Sequence, residues 1–270
     1  MPSLEWNKQA WDSEYDWKQL GGNNWSAGFG NAESQWFASI YPRLHNFLPA
    51  ETVLEIAPGA GRWTQFLMGQ CKKLIAVDYS QQCVNICRER FAEVSHATFH
   101  VNDGKSLAMV PDHSVDFVFS FDSLVHIEAD TMKAYTHELV KKLTPNGVGF
   151  IHHSNLNEYA WMPPIEYLNN KRLLWRISEM ALKRGLWLNT HSRGRSMSAK
   201  LFERFCQSVG LQCIRQELVN WGNRGVGAWF FIDCLSLFTP KGSQWERKNI
   251  VLKNRHFLRE VDSILKQSML

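Results

Sequence analysis

The sequence predicts an α/β protein with a doubly wound, mostly parallel sheet that closes in an antiparallel hairpin. Three observations carry this. Short β-branched or aromatic runs alternate with helical patterns from residue 52 to residue 153, the rhythm of βαβ crossover units. The first run ends in Glu55-Ile56-Ala57-Pro58-Gly59-Ala60-Gly61, a tight small-residue turn placed directly before a helical pattern. The last two runs, 212–218 and 228–238, are joined by the glycine-rich stretch 221–227, which is too short for a crossover helix and so implies antiparallel neighbours.

The elements follow in order. Four tryptophans (Trp6, Trp11, Trp17, Trp25) and four glycines crowd the first thirty residues, too aromatic for a disordered tail and suited to a cap over the main domain. Trp36, Phe37, Ile40, Tyr41, Leu44, Phe47 and Leu48 repeat at helical spacing, and Pro49 stops that helix. Residues 52–57 read as the first strand and about 63–70 as a helix. A strand at 73–78 follows, then a helix at 81–91 capped by Ser80. Strands at 97–101 and 114–121, a helix at 130–143 closed by Pro145-Asn146-Gly147, and a fifth strand at 148–153 complete the alternating part. The pattern then breaks: 155–195 carries helical segments and no strand, as expected of a substrate-covering lid. A helix at 198–209 with Gly210 as C-cap leads into the hairpin. The organisation expected is a cap and helix at 1–48, a cofactor-binding core at 49–154, a helical lid at 155–197, the end of the core at 198–240 and a helical tail at 241–270.

Composition excludes several classes. The chain has 270 residues, 44% hydrophobic and 21% charged, as a globular enzyme has. Its 30 basic residues exceed the 26 acidic ones by only four and form no block, which argues against a nucleic-acid partner. The six cysteines (Cys71, Cys83, Cys87, Cys206, Cys213, Cys234) include no CxxC pair and read as reduced packing residues, neither a disulfide framework nor a metal site. The start of the chain lacks the basic and apolar regions of a signal peptide, and no run reaches the ~18 apolar residues of a membrane span. A cytoplasmic protein is expected, of open oligomeric state.

The turn after the first strand selects a cofactor. A dinucleotide fingerprint needs a third small residue where Thr64 stands, and a Walker loop needs a Gly-Lys-Ser/Thr that is missing. Glu55 at the strand end would repel a pyrophosphate, whereas it accepts hydrogen bonds from an ammonium such as that of S-adenosylmethionine. Here the chain resembles the class I S-adenosylmethionine-dependent methyltransferases, over residues 50–155 and the closing hairpin. Ala57 stands where the first glycine is more usual. The resemblance implies a Rossmann-like methyltransferase fold of seven strands. Its cofactor is S-adenosylmethionine, leaving S-adenosylhomocysteine as product. It assigns Asp78 to both ribose hydroxyls, Tyr79 to the adenine face, and Asp103 of Asn102-Asp103-Gly104 to the exocyclic amine. Phe121-Asp122-Ser123-Leu124 falls where donor and acceptor meet. The implied cofactor set is thus Glu55, Ala57, Gly59, Gly61, Trp63, Asp78, Tyr79, Asp103, Gly104 and Phe121.

Methylating an alcohol requires its proton to be removed, a task for a side chain that titrates near neutrality. His126, four residues beyond Asp122, and the adjacent His152 and His153 lie at strand ends on the cofactor side, and only one of the adjacent pair can face a given side. His153, His126 and Asp122 form the expected catalytic set, with Asp122 orienting His126 or helping to hold a divalent metal for which no complete ligand set is visible. The combination of Asp122 with His126, and of His152-His153-Ser154-Asn155, is similar to bacterial methyltransferases of sugar and polysaccharide tailoring. That similarity implies O-methylation of a sugar or glycan intermediate in carbohydrate biosynthesis. Trp25, Trp36, Trp161 and Tyr159 would supply flat faces to such an acceptor; His152, Asn155, His191, Arg193 and Arg195 would supply polar contacts. The alternatives are a small-metabolite N-methyltransferase and a non-catalytic cofactor-binding partner subunit. The Asn/Asp-Pro-Pro-aromatic motif of enzymes acting on nucleic-acid amines is absent after the fourth strand.

Overall fold

The computed structural model describes residues 3–17, 21–161, 190, 192–221 and 229–262. One sheet of eight strands has the order β3-β2-β1-β4-β5-β7-β6-β8. The strands are β1 Ala50–Ile56, β2 Cys71–Asp78, β3 Ala97–Val101, β4 Val115–Ser120, β5 Leu143–Ser154, β6 Leu211–Val219, β7 Asp233–Pro240 and β8 Ile250–Asn254. β1 to β5 run parallel, and β7 lies antiparallel between β5 and β6. The α/β class and the antiparallel closing pair match the sequence reading, with eight strands in place of seven. The extra strand, β8, pairs parallel with β6 inside the stretch read as a helical tail. Its Ile250-Val251-Leu252 run has the side chains of a strand, and helical turns follow only from Phe257–Arg259.

The helices are α1 Leu4–Lys8, α2 Ala32–Gln35, α3 Tyr41–Leu44, α4 Thr64–Leu67, α5 Gln81–Arg90, α6 Ala129–Lys142 and α7 Ala199–Val209. Ser80 Oγ accepts from Cys83 N–H at the start of α5, and Gly210 ends α7 in the left-handed conformation at φ 89°. Between α2 and α3 the chain makes a widened π turn, Trp36–Ile40, where Tyr41 N–H donates to Trp36 O. Pro42 explains it: the ring has no N–H to donate and crowds the carbonyl one turn earlier. β5 begins five residues before the expected 148. Leu143 already pairs with Val115, and Pro145-Asn146-Gly147 forms the bulge between that pair and Phe117↔Val148. Of the expected lid, 162–189 and 191 lie outside the described residues; Leu156–Tyr159 is a 3-10 turn.

Alternation along the strands divides the core into two layers. Phe117, Phe119, Val148 and Phe150 meet Trp36, Ile40 and Leu44 on one side of the sheet. Leu54, Ile56, Val118 and Ile151 meet α6 through Met132 and Leu139, and α7 through Phe202 and Cys206, on the other. The parity carries forward in β5, so His152 belongs to the first side and His153 to the second. Among the described residues no helix is long and apolar enough to cross a membrane.

Gly149 marks a close approach in this packing, since a Cβ there would stand 2.1 Å from the Phe238 ring. Gly149→Ala should lower stability by ~1–3 kcal/mol through overpacking, read as a fall in the urea midpoint at unchanged m-value.

Candidate functional site

The carboxyl ends of β1, β2 and β4 open onto a cleft of about 760 Å³, counted to its mouth. Its floor is the small-residue turn. Ala57 and Gly59 are left-handed at φ 59° and 58°, and Ala57 N–H donates to Val77 O at 2.7 Å, drawing the turn across the end of β2. An alanine in that conformation is strained by ~1–2 kcal/mol; Ser123 Oγ, donating to Ala57 O at 2.9 Å, helps to hold it. Asp78 lines the cleft, accepting from Gly59 N–H at 3.0 Å and Ser80 N–H at 2.8 Å. Burial pushes its carboxyl up to about 6, against the backbone donors that pull it down. Tyr79 and Leu4 form a slot over Gly104, where a Cβ would meet Leu4 at 2.9 Å and Tyr79 at 3.5 Å.

Other members of the expected cofactor set do not face this cleft. Glu55 is buried beneath the turn, with Oε2 accepting from Thr64 Oγ1 at 2.6 Å and Oε1 without a partner. Burial raises its pKa to about 8, so at neutral pH it is largely a neutral prop under the turn, not an anionic ligand. Gly61 lets Phe91 of the loop after α5 approach, since a Cβ would come within 2.5 Å of that ring. Trp63 and Phe121 pack edge to face, 5.6 Å apart, in the core. Asp103 is exposed and accepts from Lys105 N–H and Ser106 N–H, capping its own loop. Tyr135 of α6, which sequence reasoning did not single out, lines the cleft and accepts from Asn102 Nδ2 at 3.1 Å.

Asp122 and His126 stand between this cleft and a second chamber of about 1030 Å³, lined also by Trp11, Trp25, Ser192, Arg193 and Trp221. Asp122 does not orient His126. It is left-handed at φ 66°, pairs with Arg62 Nη2 at 2.8 Å, and donates its N–H to His152 Nδ1 at 3.1 Å. Arg62 lies against Trp63 and Trp25, 4.5 and 5.5 Å from the rings. His126 is half-buried, with Nδ1 3.1 Å from Ser192 O. A carbonyl only accepts, so Nδ1 carries the proton and Nε2 keeps a free lone pair. Burial, then the Arg193 cation, lowers its pKa to about 4, which keeps the ring neutral near pH 7.

The neighbouring histidines serve differently. His153 faces the α7 side, buried against Phe202 at 4.6 Å, with Nδ1 donating to Ser154 O and Nε2 accepting from Ser236 Oγ. Both ring nitrogens are occupied away from the cleft, so the geometry removes it from the catalytic set. His152 stacks on Phe121 and Trp221, with Nε2 3.1 Å from Asp233 Oδ2. Asp233 also accepts from Arg193 Nε at 2.6 Å and from Trp221 Nε1. Despite full burial, the Arg193 cation and His152 hold its carboxyl well below the usual range. Arg193 thus lines the chamber already paired. Asp233 was the signal overlooked: an acid inside the apolar run Phe230-Phe231-Ile232-Asp233-Cys234-Leu235. Asn155 ties the backbone of Phe231 to that of Ala199, and Tyr159 Oη accepts from Phe231 N–H. Arg195 and Ser196 donate backbone N–H groups to Glu128. His191 lies outside the described residues.

The N-terminal segment walls both spaces. Asn7 Nδ2 donates to His126 O at 3.0 Å, and Asp12 accepts from Ser80 Oγ at 2.6 Å. The Trp17 ring lies on Gly59, leaving 2.8 Å to a Cβ that is not there, and Trp11 lies 5.1 Å from His126. The cleft fits S-adenosylmethionine. It has a carboxylate at the end of β2 for a vicinal diol, a narrow slot over Gly104 for a flat base, and at Gly59 bare backbone against which the Trp17 ring packs.

Residues 53–147 match the family described as a methyltransferase domain. The chain is similar to phosphoethanolamine N-methyltransferase 1 of Triticum aestivum, 30% identical over 118 residues, which are 42% of this chain and 24% of that protein. It is also similar to nodulation protein S of Sinorhizobium fredii, 27% identical over 100 residues, 37% of this chain and 45% of that protein. The match spans less than half the length of either relative. Among solved structures, a DhpI–SAH complex shares the fold at TM-score 0.52 and 19% identity, over 88% of this chain and 94% of that one.

Two outcomes follow from this geometry. Asp78→Ala should weaken S-adenosylhomocysteine binding by ~1.5–3 kcal/mol, measured by titration calorimetry on protein whose circular dichroism is unchanged. Native Glu55 keeps its proton to about pH 8, whereas the unfolded chain releases it near the ordinary value of 4.5. Between those values the folded state binds the extra proton, so this group makes stability fall as pH rises. Glu55→Gln should flatten that slope and stabilise the protein at pH above 8, by chemical denaturation across the range.

Proposed function

We propose that the chain is an S-adenosylmethionine-dependent methyltransferase that methylates a hydroxyl of a sugar-type acceptor held in the second chamber, with His126 as general base. The observation that carries this reading is the free Nε2 of a neutral His126 at the boundary of the two spaces. When bound, the cofactor supplies an electrophilic methyl group. Asp78, the Gly59 backbone, Tyr79 and Gly104 would hold it. Trp11, Trp25 and Trp221 offer flat apolar faces in the chamber, and Asp122, Ser192 and Arg193 offer polar atoms between them, the mixture that a ring bearing hydroxyls needs. His126 Nε2, a weak base at a pKa of about 4, takes the hydroxyl proton only as the carbon–oxygen bond forms and that proton becomes strongly acidic, while the Ser192 carbonyl, accepting from Nδ1–H, stabilises the charge that the ring gains.

A second reading, methylation of an amine, is favoured by the match to a phosphoethanolamine N-methyltransferase. Transfer of labelled methyl from S-adenosylmethionine to a panel of monosaccharides and of amines separates the two. His126→Gln should lower kcat by about 10²–10⁴-fold for a hydroxyl acceptor with S-adenosylhomocysteine affinity retained. An undiminished kcat would remove the base assignment. His153→Gln should instead lower the denaturation midpoint and leave kcat near wild type.

A further inference from the structure

The rim of the second chamber carries a surface that methyl transfer does not use. Among the described residues seven large hydrophobic side chains are exposed; two of them, Trp161 and Trp229, at 72% and 69%, flank the Phe230-Phe231 stretch, and three more, Ile250, Val251 and Leu252, follow the adjoining edge strand β8. Contacts join them to cations. The Trp161 ring lies 6.4 Å from Phe230, and the Arg255 guanidinium lies 5.8 and 5.7 Å from the Trp229 and Phe231 rings. Lys253 Nζ lies 5.7 Å from Phe231. Strand register fixes the location. Asn254 lies opposite Val219, Val219 opposite Asp233, and Asp233 opposite Ser154. Lys253 and Arg255 therefore emerge at the carboxyl end of the sheet, in the row of Asp233, which holds Arg193 in the chamber wall. At this end of the sheet Lys253 and Arg255 are both exposed.

Exposed indoles among unshielded cations match the headgroup layer of an anionic lipid surface: indoles settle at the interface, and guanidinium and ammonium groups meet phosphates. β8 is the edge strand, so its outer backbone groups need water or a partner, which a shallow seat among hydrated headgroups provides and hydrocarbon does not. We propose that this rim docks the protein on an anionic lipid surface. An amphiphilic acceptor would then reach the chamber directly from that surface; only this corollary rests on the methyltransferase reading.

The test is co-sedimentation of the full chain with vesicles of phosphatidylcholine alone or mixed with phosphatidylglycerol, at low and high salt. It needs no turnover, so its failure leaves the donor-site reading standing. Binding to the anionic vesicles is expected, lost in high salt. The double variants Trp161→Ala/Trp229→Ala and Lys253→Glu/Arg255→Glu should each weaken it about tenfold or more, with melting and S-adenosylhomocysteine binding as in wild type. No sedimentation, equal sedimentation with neutral vesicles, or unchanged binding by both variants overturns the proposal. Light scattering tests the other occupant: a dimer that Leu252→Lys dissolves would assign the face to a second copy and overturn it too.

Discussion

The ion pair of Arg62 with Asp122 holds the functional end of the molecule together. Arg62 comes from the turn after β1, and Asp122 from the end of β4, which the sheet places next to β1. Both side chains are largely buried, so either alone would be costly, and the pair persists because other groups complete it. Trp25 of the N-terminal segment lies against the guanidinium, and Ser26 Oγ accepts from Nη1. The Asp122 N–H is fixed by His152 of β5, whose far nitrogen faces Asp233 of β7, and Asp233 in turn holds Arg193. Six separate chain segments are thus tied through one line of polar contacts at the carboxyl ends of the strands. Asp122 keeps its left-handed backbone because it is constrained from both ends of that line.

Much of this was legible in the residues and some was not, for physical reasons. Period-two alternation in Val115–Ser120 and the capping of α5 by Ser80 are local signals, and local signals survive folding. The position of Asp78 at a strand end is likewise a local fact. What failed was inference about direction. Glu55 and Asp103 have the residue types of ligands, but one points under the turn and the other folds back on its own loop. The same applies to His152 and His153. Sequence shows that they face opposite sides, whereas deciding which side faces the cleft requires the register of β5 against β4 and β7. Asp233 was invisible as a partner because its contacts, Arg193 and His152, lie 40 and 81 positions away in the chain (233 − 193 and 233 − 152). β8 was misread because an aliphatic run in a charged tail has no period that separates a short strand from a helix turn.

Burial decides the chemistry of the titratable groups more than their neighbours do. It keeps Glu55 protonated and both His126 and His153 neutral at neutral pH, whereas it raises Asp78 only to about 6, which leaves that carboxyl mostly ionised. Asp233, also fully buried, is held well below the usual carboxylate range by the Arg193 beside it. A sulfonium cofactor brings its own positive charge into such a cleft, and the floor supplies Asp78 as the group that can answer it.

The Trp17 ring resting on Gly59 ties the lifetime of the bound state to the opening of the first segment of the chain. A molecule on that floor is roofed by α1 and the turns after it, which are anchored at His126 through Asn7 and at the head of α5 through Asp12. The Asn7 anchor meets the loop that carries His126, so the same short segment borders both the donor cleft and the second chamber.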